Sequence, residues 1–283
     1  MSVPFPAPHL HPEVFLLFGG IEAAYLSSVR RRRREYPGED PAWRRRATFF
    51  SLGLFVLWVG ASWPIHDLAE RYLYSFHMVQ HMLFTLIAPP MLIAGMPPWL
   101  LRAMLRPRPV LAVFRFFTRP LVALILFNSV LLFTHWPTVV DASVRSEWLH
   151  FSLHVLLVLS ALCMWWPVMS PLPELPPLSL PGQMLYLFLQ SLVPTIPASF
   201  LTFGSTILYK VYATFPRLWG VSAHSDQLVA GLIMKIGGSA ILWGFIAAIF
   251  FRWHAAEEKT GWDALQLRQV EREITSGVSR SRR

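Results

Sequence analysis

A single cysteine, Cys163, serves a chain of 283 residues. It cannot close an intrachain disulfide, and no Cys-x-x-Cys redox or metal motif can be built from it. Charge is scarce too. Charged residues make up 14 % of the chain, whereas soluble domains carry about 25 %. That excludes an ordinary soluble surface. Acidic residues number 16 against 25 basic ones, for a net charge of +9. In a soluble protein this balance would raise a nucleic-acid partner. Here the arginines sit between apolar runs, so membrane topology accounts for them and no nucleic acid is expected. Residues 1–12 lack the basic segment that opens a cleaved signal peptide, so none is expected there. No repeat of solenoid period is visible.

Apolar sequence fills the rest. Hydrophobic residues reach 54 % and the mean hydropathy is +0.44. A membrane-spanning helix needs about 20 mostly apolar residues. Seven runs qualify, at 13–29, 47–63, 72–95, 120–136, 148–169, 183–208 and 227–251. Pro89-Pro90 should break or kink the inner part of the third run. The expected fold is an all-α, polytopic membrane bundle of seven transmembrane helices over residues 1–251, followed by a basic cytoplasmic tail at 252–283. That tail holds an amphipathic stretch from Trp262 to Ile274 and an unstructured Ser/Arg end.

Basic residues in short loops set orientation. Under this topology twenty lie on one side, among them Arg30–Arg34, Arg44–Arg46 and Arg102, against four on the other: Arg71, Arg145, Lys210 and Arg217. The N-terminus is therefore expected outside and the C-terminus in the cytoplasm, with Trp63, Trp136 and Trp148 in the outer aromatic belt.

The same topology sorts the histidines. His9, His11, His66, His77, His81, His135, His150, His154 and His224 fall on the outer side, and only His254 on the inner. Spacing sharpens the signal. His77 and His81 stand four residues apart, as do His150 and His154. Such pairs share a helix face with Cβ atoms roughly 5–6 Å apart. Two facing pairs would offer three or four imidazole nitrogens to a metal, or two axial ligands to a haem. Imidazole suits copper, zinc and iron, and thioether sulfur favours Cu(I). Met78, Met82 and Met91 lie close in sequence, but Met78 and Met82 are turned off the histidine face. A lone histidine in a span ordinarily hydrogen-bonds a neighbouring helix, which would serve for His66, His135 or His224 taken singly. The intramembrane polar residues Glu22, Asn128, Gln190, Asp226 and Lys235 are costly in lipid. Glu22 is the candidate partner for Lys235.

The block from His77 through Gln80, His81, Met82 and Leu83, followed by Ala88-Pro89-Pro90-Met91-Leu92 and Gly95-Met96-Pro97, resembles the signature of the multi-span CtaG family of cytochrome c oxidase assembly proteins. Thr134-His135-Trp136-Pro137 with Asp141, Leu149-His150 with His154, Trp165-Trp166-Pro167-Val168, and Asp226-Gln227 with Ala230-Gly231 and Met234 extend the resemblance. It covers spans two to seven in order, not the first span or the tail. It implies a non-enzymatic factor of the bacterial inner membrane that supplies copper, as Cu(I), to a haem–copper oxidase. The implied partners are oxidase subunits, a periplasmic copper donor and membrane lipid. The metal ligands expected are His77, His81, His150 and His154, with His135 as a fifth candidate and His66 met first from outside. Asp141 or Asp226 would orient an imidazole. Two other readings stay open: a haem b or quinol protein with His77 and His154 as axial ligands, and a copper or proton transporter using Lys235 and Glu22.

Overall fold

The computed structural model describes residues 11–281, with side chains described through Lys259. His9, expected on the outer side, lies outside the described residues. Among those described, helices account for all regular structure. The N-terminal half holds α1 (Pro12–Glu35), α2 (Trp43–Gly60), α3 (Ile65–Arg71), α4 (Tyr74–Met82), α5 (Ala88–Gly95), α6 (Pro98–Met104) and α7 (Arg108–Phe117). The rest holds α8 (Pro120–Thr134), α9 (Pro137–Val144), α10 (Glu147–Met169), α11 (Leu180–Leu192), α12 (Thr195–Phe203), α13 (Lys210–Ala213), α14 (Ala223–Leu232) and α15 (Gly238–Ser281). Proline opens α1, α6, α8 and α9, where its missing N–H is one the helix would leave unpaired anyway.

Five helical stretches are long and apolar enough to cross a membrane: Trp43–Arg71, Tyr74–Gly95, Glu147–Met169, Leu180–Phe203 and Ala223–Lys259. A sixth arises if α7 and α8, bent by 75° at their junction, count as one span. The first expected span is not among them. α1 is 24 residues long, but Glu22 interrupts its apolar part and arginines fill its last turns, so the clean run falls short of about 20 residues. Large apolar side chains such as Leu16, Leu121, Phe200 and Phe251 face outward, a distribution that suits lipid better than water.

One expectation about the spans is refined and two are corrected. Pro89-Pro90 disturb the third run without ending it. A π-helical segment, Leu83–Ile87, joins α4 to α5 and absorbs the prolines. Proline donates no N–H, so Pro89 leaves the Thr85 carbonyl without its helical partner. The Trp165 indole N–H of α10 takes that carbonyl at 2.8 Å. The sixth run breaks at Val193–Pro194 and ends at Phe203 rather than residue 208. The seventh does not stop near 251. It passes through a second π-helical segment, Ile233–Gly237, into α15, whose backbone stays helical to Ser281. The expected unstructured end is therefore helical as far as it is described.

Close packing holds the bundle where lipid offers no hydrophobic drive between helices. A methyl group on Gly95 would sit 2.3 Å from the Phe50 backbone nitrogen, so α5 lies directly on α2. Tyr25 of α1 locks the same corner by donating to the Gly95 carbonyl at 2.8 Å. The polar residues Asn128 and Gln190 are structural: Asn128 donates to Gln190 at 2.6 Å, and Gln190 donates to Tyr186 at 3.0 Å. Arg102 of α6 donates to Glu174 at 2.8 Å, tying α6 to the loop that follows α10.

Candidate metal centre

Four elements converge where the histidines lie. α4 carries His77 and His81, α10 carries His150 and His154, α8 ends on His135, and α3 carries His66. α4 and α10 are capped at their first turns. The buried Asp226 carboxylate accepts from the backbone N–H of Tyr74 at 2.7 Å and of Ser75 at 3.0 Å. Those are N-terminal amides with no helical partner of their own, so a residue 152 positions away caps α4. Ser146 caps α10, accepting from Leu149 N–H at 3.4 Å. Gln80, fully buried between the α4 histidines, donates to the Gly60 carbonyl at 2.8 Å and seats α4 on the end of α2.

At the centre stand His77, His81 and His154. One ring nitrogen from each lies within 4.8 Å of the others. Two nitrogens on a single ion sit about 3.3–3.5 Å apart, given bonds of about 2.0–2.1 Å, so small ring rotations would bring the three together. Ring centroids measure 4.3 Å for His77–His81, 5.7 Å for His77–His154 and 5.5 Å for His81–His154. Imidazoles sharing one tetrahedral ion would have centroids about 5 Å apart by the same bond lengths. His150 stands edge-on to two of them, 4.2 Å from His154 and 5.6 Å from His77. His135 flanks the other side, 5.1 Å from His81.

The hydrogen bonding of these rings is incomplete. His77 Nδ1, His154 Nε2, His135 Nε2 and both nitrogens of His150 are buried with no hydrogen-bond partner among the described residues. An unpaired buried polar group costs about 1–3 kcal/mol, and native proteins hold few of them. A cation accepted by several lone pairs at once satisfies them together. His135 shows which nitrogen is free. Its Nδ1 lies 2.7 Å from the Leu131 carbonyl. A carbonyl only accepts, so Nδ1 carries the proton and Nε2 presents a lone pair.

All six histidines expected as ligands fall in one connected string. His66 extends it, its centroid 6.1 Å from His150, and His11 lies a further 5.0 Å from His66. His224 and His254 stand apart, both exposed, with His254 near Glu258 at 3.4 Å. Other expectations are corrected. Asp226 caps α4 instead of orienting an imidazole, and Asp141 accepts from the Val211 N–H at 3.3 Å. Glu22 does not meet Lys235. It accepts from Ser51 at 2.5 Å, while the Lys235 ammonium lies 4.9 Å from the centre of the Phe203 ring, a cation–π contact. Met78 is fully buried in the apolar core, and Met82 packs where Gly238 leaves room for its sulfur. Sequence reasoning missed Glu70, whose two oxygens lie 3.4 Å from His66 Nε2 and 3.3 Å from His150 Nε2. Its signal was there: a carboxylate four residues after His66 on α3.

The crowding also bears on haem. His77 and His154, the pair a bis-histidine haem would use, have ring centroids 5.7 Å apart, with His81 4.3 Å from the first and His150 4.2 Å from the second. A groove of about 930 Å³ between α1 and α2, lined by Phe15, Glu22, Trp43, Ser51 and Trp58 among others, borders no histidine.

Comparison with known families gives a match over most of the chain. The family model described as cytochrome c oxidase caa3 assembly factor covers residues 23–256. It therefore spans every element of the histidine site and leaves out the first half of α1 and the end of α15. No curated protein matches, and no solved structure does.

Proposed function

Since the chain belongs to the cytochrome c oxidase caa3 assembly factor family, we propose that its part in oxidase assembly is to hold copper and hand it on. The carrying observation is the trio His77, His81 and His154, whose donor atoms gather within 4.8 Å. His150 and His135 border the trio, and His66 stands toward the surface. All are neutral donors without thiolate. Imidazole suits copper, and a set without thiolate fits a carrier that must give its metal up. The role is one of delivery, not catalysis, in keeping with an assembly factor.

The setting follows from the same reading. We place the protein in the bacterial inner membrane with seven spans, α1 and the bent α8 completing the five long helices. The N-terminus faces outward and the C-terminus the cytoplasm, as the excess of arginine in the loops around α1–α2 and α5–α8 requires. The histidine string then opens toward the periplasm, where a copper donor would meet His66. The receiving partner is the oxidase subunit that holds a copper centre, met within the lipid.

A test in cells separates delivery from scaffolding. Cells lacking this protein are given the wild type, His77→Ala or His81→Ala, and the assembled oxidase is analysed for copper. The variants should accumulate in the membrane yet leave the oxidase copper-poor and inactive. Fully loaded, active oxidase in both variants would refute copper delivery through these residues.

A further inference from the structure

Outside the inner trio, a second cluster combines histidine with carboxylate. Glu70 of α3 stands between His66, one turn before it, and His150 of α10. Its two oxygens reach one ring each, at 3.4 Å and 3.3 Å. His150 is 4 % exposed. Despite the short approach to Glu70, neither of its nitrogens is aligned for a hydrogen bond. The pair is thus close without being bonded. Oxygen and nitrogen donors on a common metal stand at about this separation, given bonds of about 2.0–2.2 Å. Gln80 Nε2 lies 3.4 Å from His66 Nδ1, a long contact that leaves His66 Nε2 facing Glu70. Asp67, 3 % exposed, lies beside the group, 3.2 Å from His11 Nε2 and 4.0 Å from the Arg71 guanidinium.

We propose that Glu70, His66 and His150 form a second metal site, outward of the trio and distinct from it in chemistry. A carboxylate beside two imidazoles favours a divalent ion of the late first row, Cu(II) or Zn(II), because an oxygen anion offsets the second positive charge. The trio, with nitrogen alone, lacks that feature. The proposal shares His66 and His150 with the reading above and takes from it which side of the membrane the site faces. Placed between the surface and the trio, the outer site is where an arriving divalent ion is first captured.

The test is a Cu(II) titration of the purified full-length protein in detergent, followed by the electron paramagnetic resonance of bound copper. Wild type should bind one more equivalent of Cu(II) than Glu70→Gln, a substitution that keeps the side chain's shape and removes its charge. The lost equivalent should be the one whose spectrum reports mixed nitrogen and oxygen donors. In the His77→Ala/His81→Ala protein this mixed-donor signal should persist, and adding Glu70→Gln should weaken its binding at least about tenfold. Circular dichroism confirms that each variant is folded. Unchanged stoichiometry, affinity and spectrum in Glu70→Gln would overturn the outer site. A mixed-donor signal that survives the double variant, with no other copper lost from it, would keep the outer site and count against the trio.

Discussion

At the scale of single residues, the site depends on which nitrogen each ring leaves free. His135 is the clearest case, since its Nδ1 proton is committed to the Leu131 carbonyl at 2.7 Å. Only Nε2 can then reach toward His81. His135→Ala should lower copper affinity by about tenfold or more without unfolding the protein, as losses beside a metal commonly do. Competition with a chromophoric chelator reads that change. A ligating imidazole must be neutral, so protons compete with copper. Lowering the pH from about 7.5 to about 5.5 should weaken binding in the wild type, with the loss growing as the solution becomes more acid. An affinity that holds steady or rises on acidification would speak against imidazole ligands. The histidine pairs were legible in the sequence because i and i+4 neighbours meet whenever the segment is helical. The convergence of α4 and α10 was not, since it depends on tertiary packing. Glu70 escaped notice because its approach to His150 crosses between helices. Asp226 was misread for the same reason: its use, capping α4, depends on a contact 152 residues distant.

At the scale of elements, two contacts fix the stretch that follows α4, one to α10 and one to α2. One is the Thr85 carbonyl, freed by Pro89 and taken by Trp165. Trp165→Phe keeps the bulk and removes the donor, leaving a buried carbonyl unpaired. It should cost about 1–3 kcal/mol, seen as a lower unfolding midpoint in detergent. The other is the contact of Gly95 with the Phe50 backbone. Gly95→Ala should sharply reduce the folded protein recovered from membranes, because backbone atoms at 2.3 Å and 2.6 Å cannot yield as a side chain would. Gly19→Ala is the matched control, with nothing within 4 Å of its new methyl. Equal recovery of both would show that the α2–α5 contact is looser than drawn. Helix positions were readable from apolar runs and prolines. The π-helical segments were not, because the proline pair signals only a disturbance, and the packing of α10 decides its form.

At the scale of the whole molecule, the arginine asymmetry and the histidine string point to opposite ends of the bundle. The Arg102–Glu174 pair marks one end, and His11, His66 and Asp67 mark the other. Cysteines introduced singly near His11 and near Lys259 should differ in labelling by a membrane-impermeant thiol reagent. The first should react from outside in intact cells and the second only after permeabilisation. The opposite pattern would reverse the orientation and turn the site toward the cytoplasm. Helical content and the multi-span character were legible from composition alone. The number of spans was less so, since α1 carries Glu22 and α8 meets its neighbour at 75°.

The central claim is that the trio binds copper. Its most direct test is anaerobic loading of the purified full-length protein with Cu(I), followed by metal analysis and an absorption spectrum of the same sample. About one Cu(I) per chain should be retained, bound through imidazole. It should be lost in the His77→Ala/His81→Ala protein, and the spectrum should carry no Soret band. Retention of the same copper by the double variant, or a Soret band in the wild type, would contradict it.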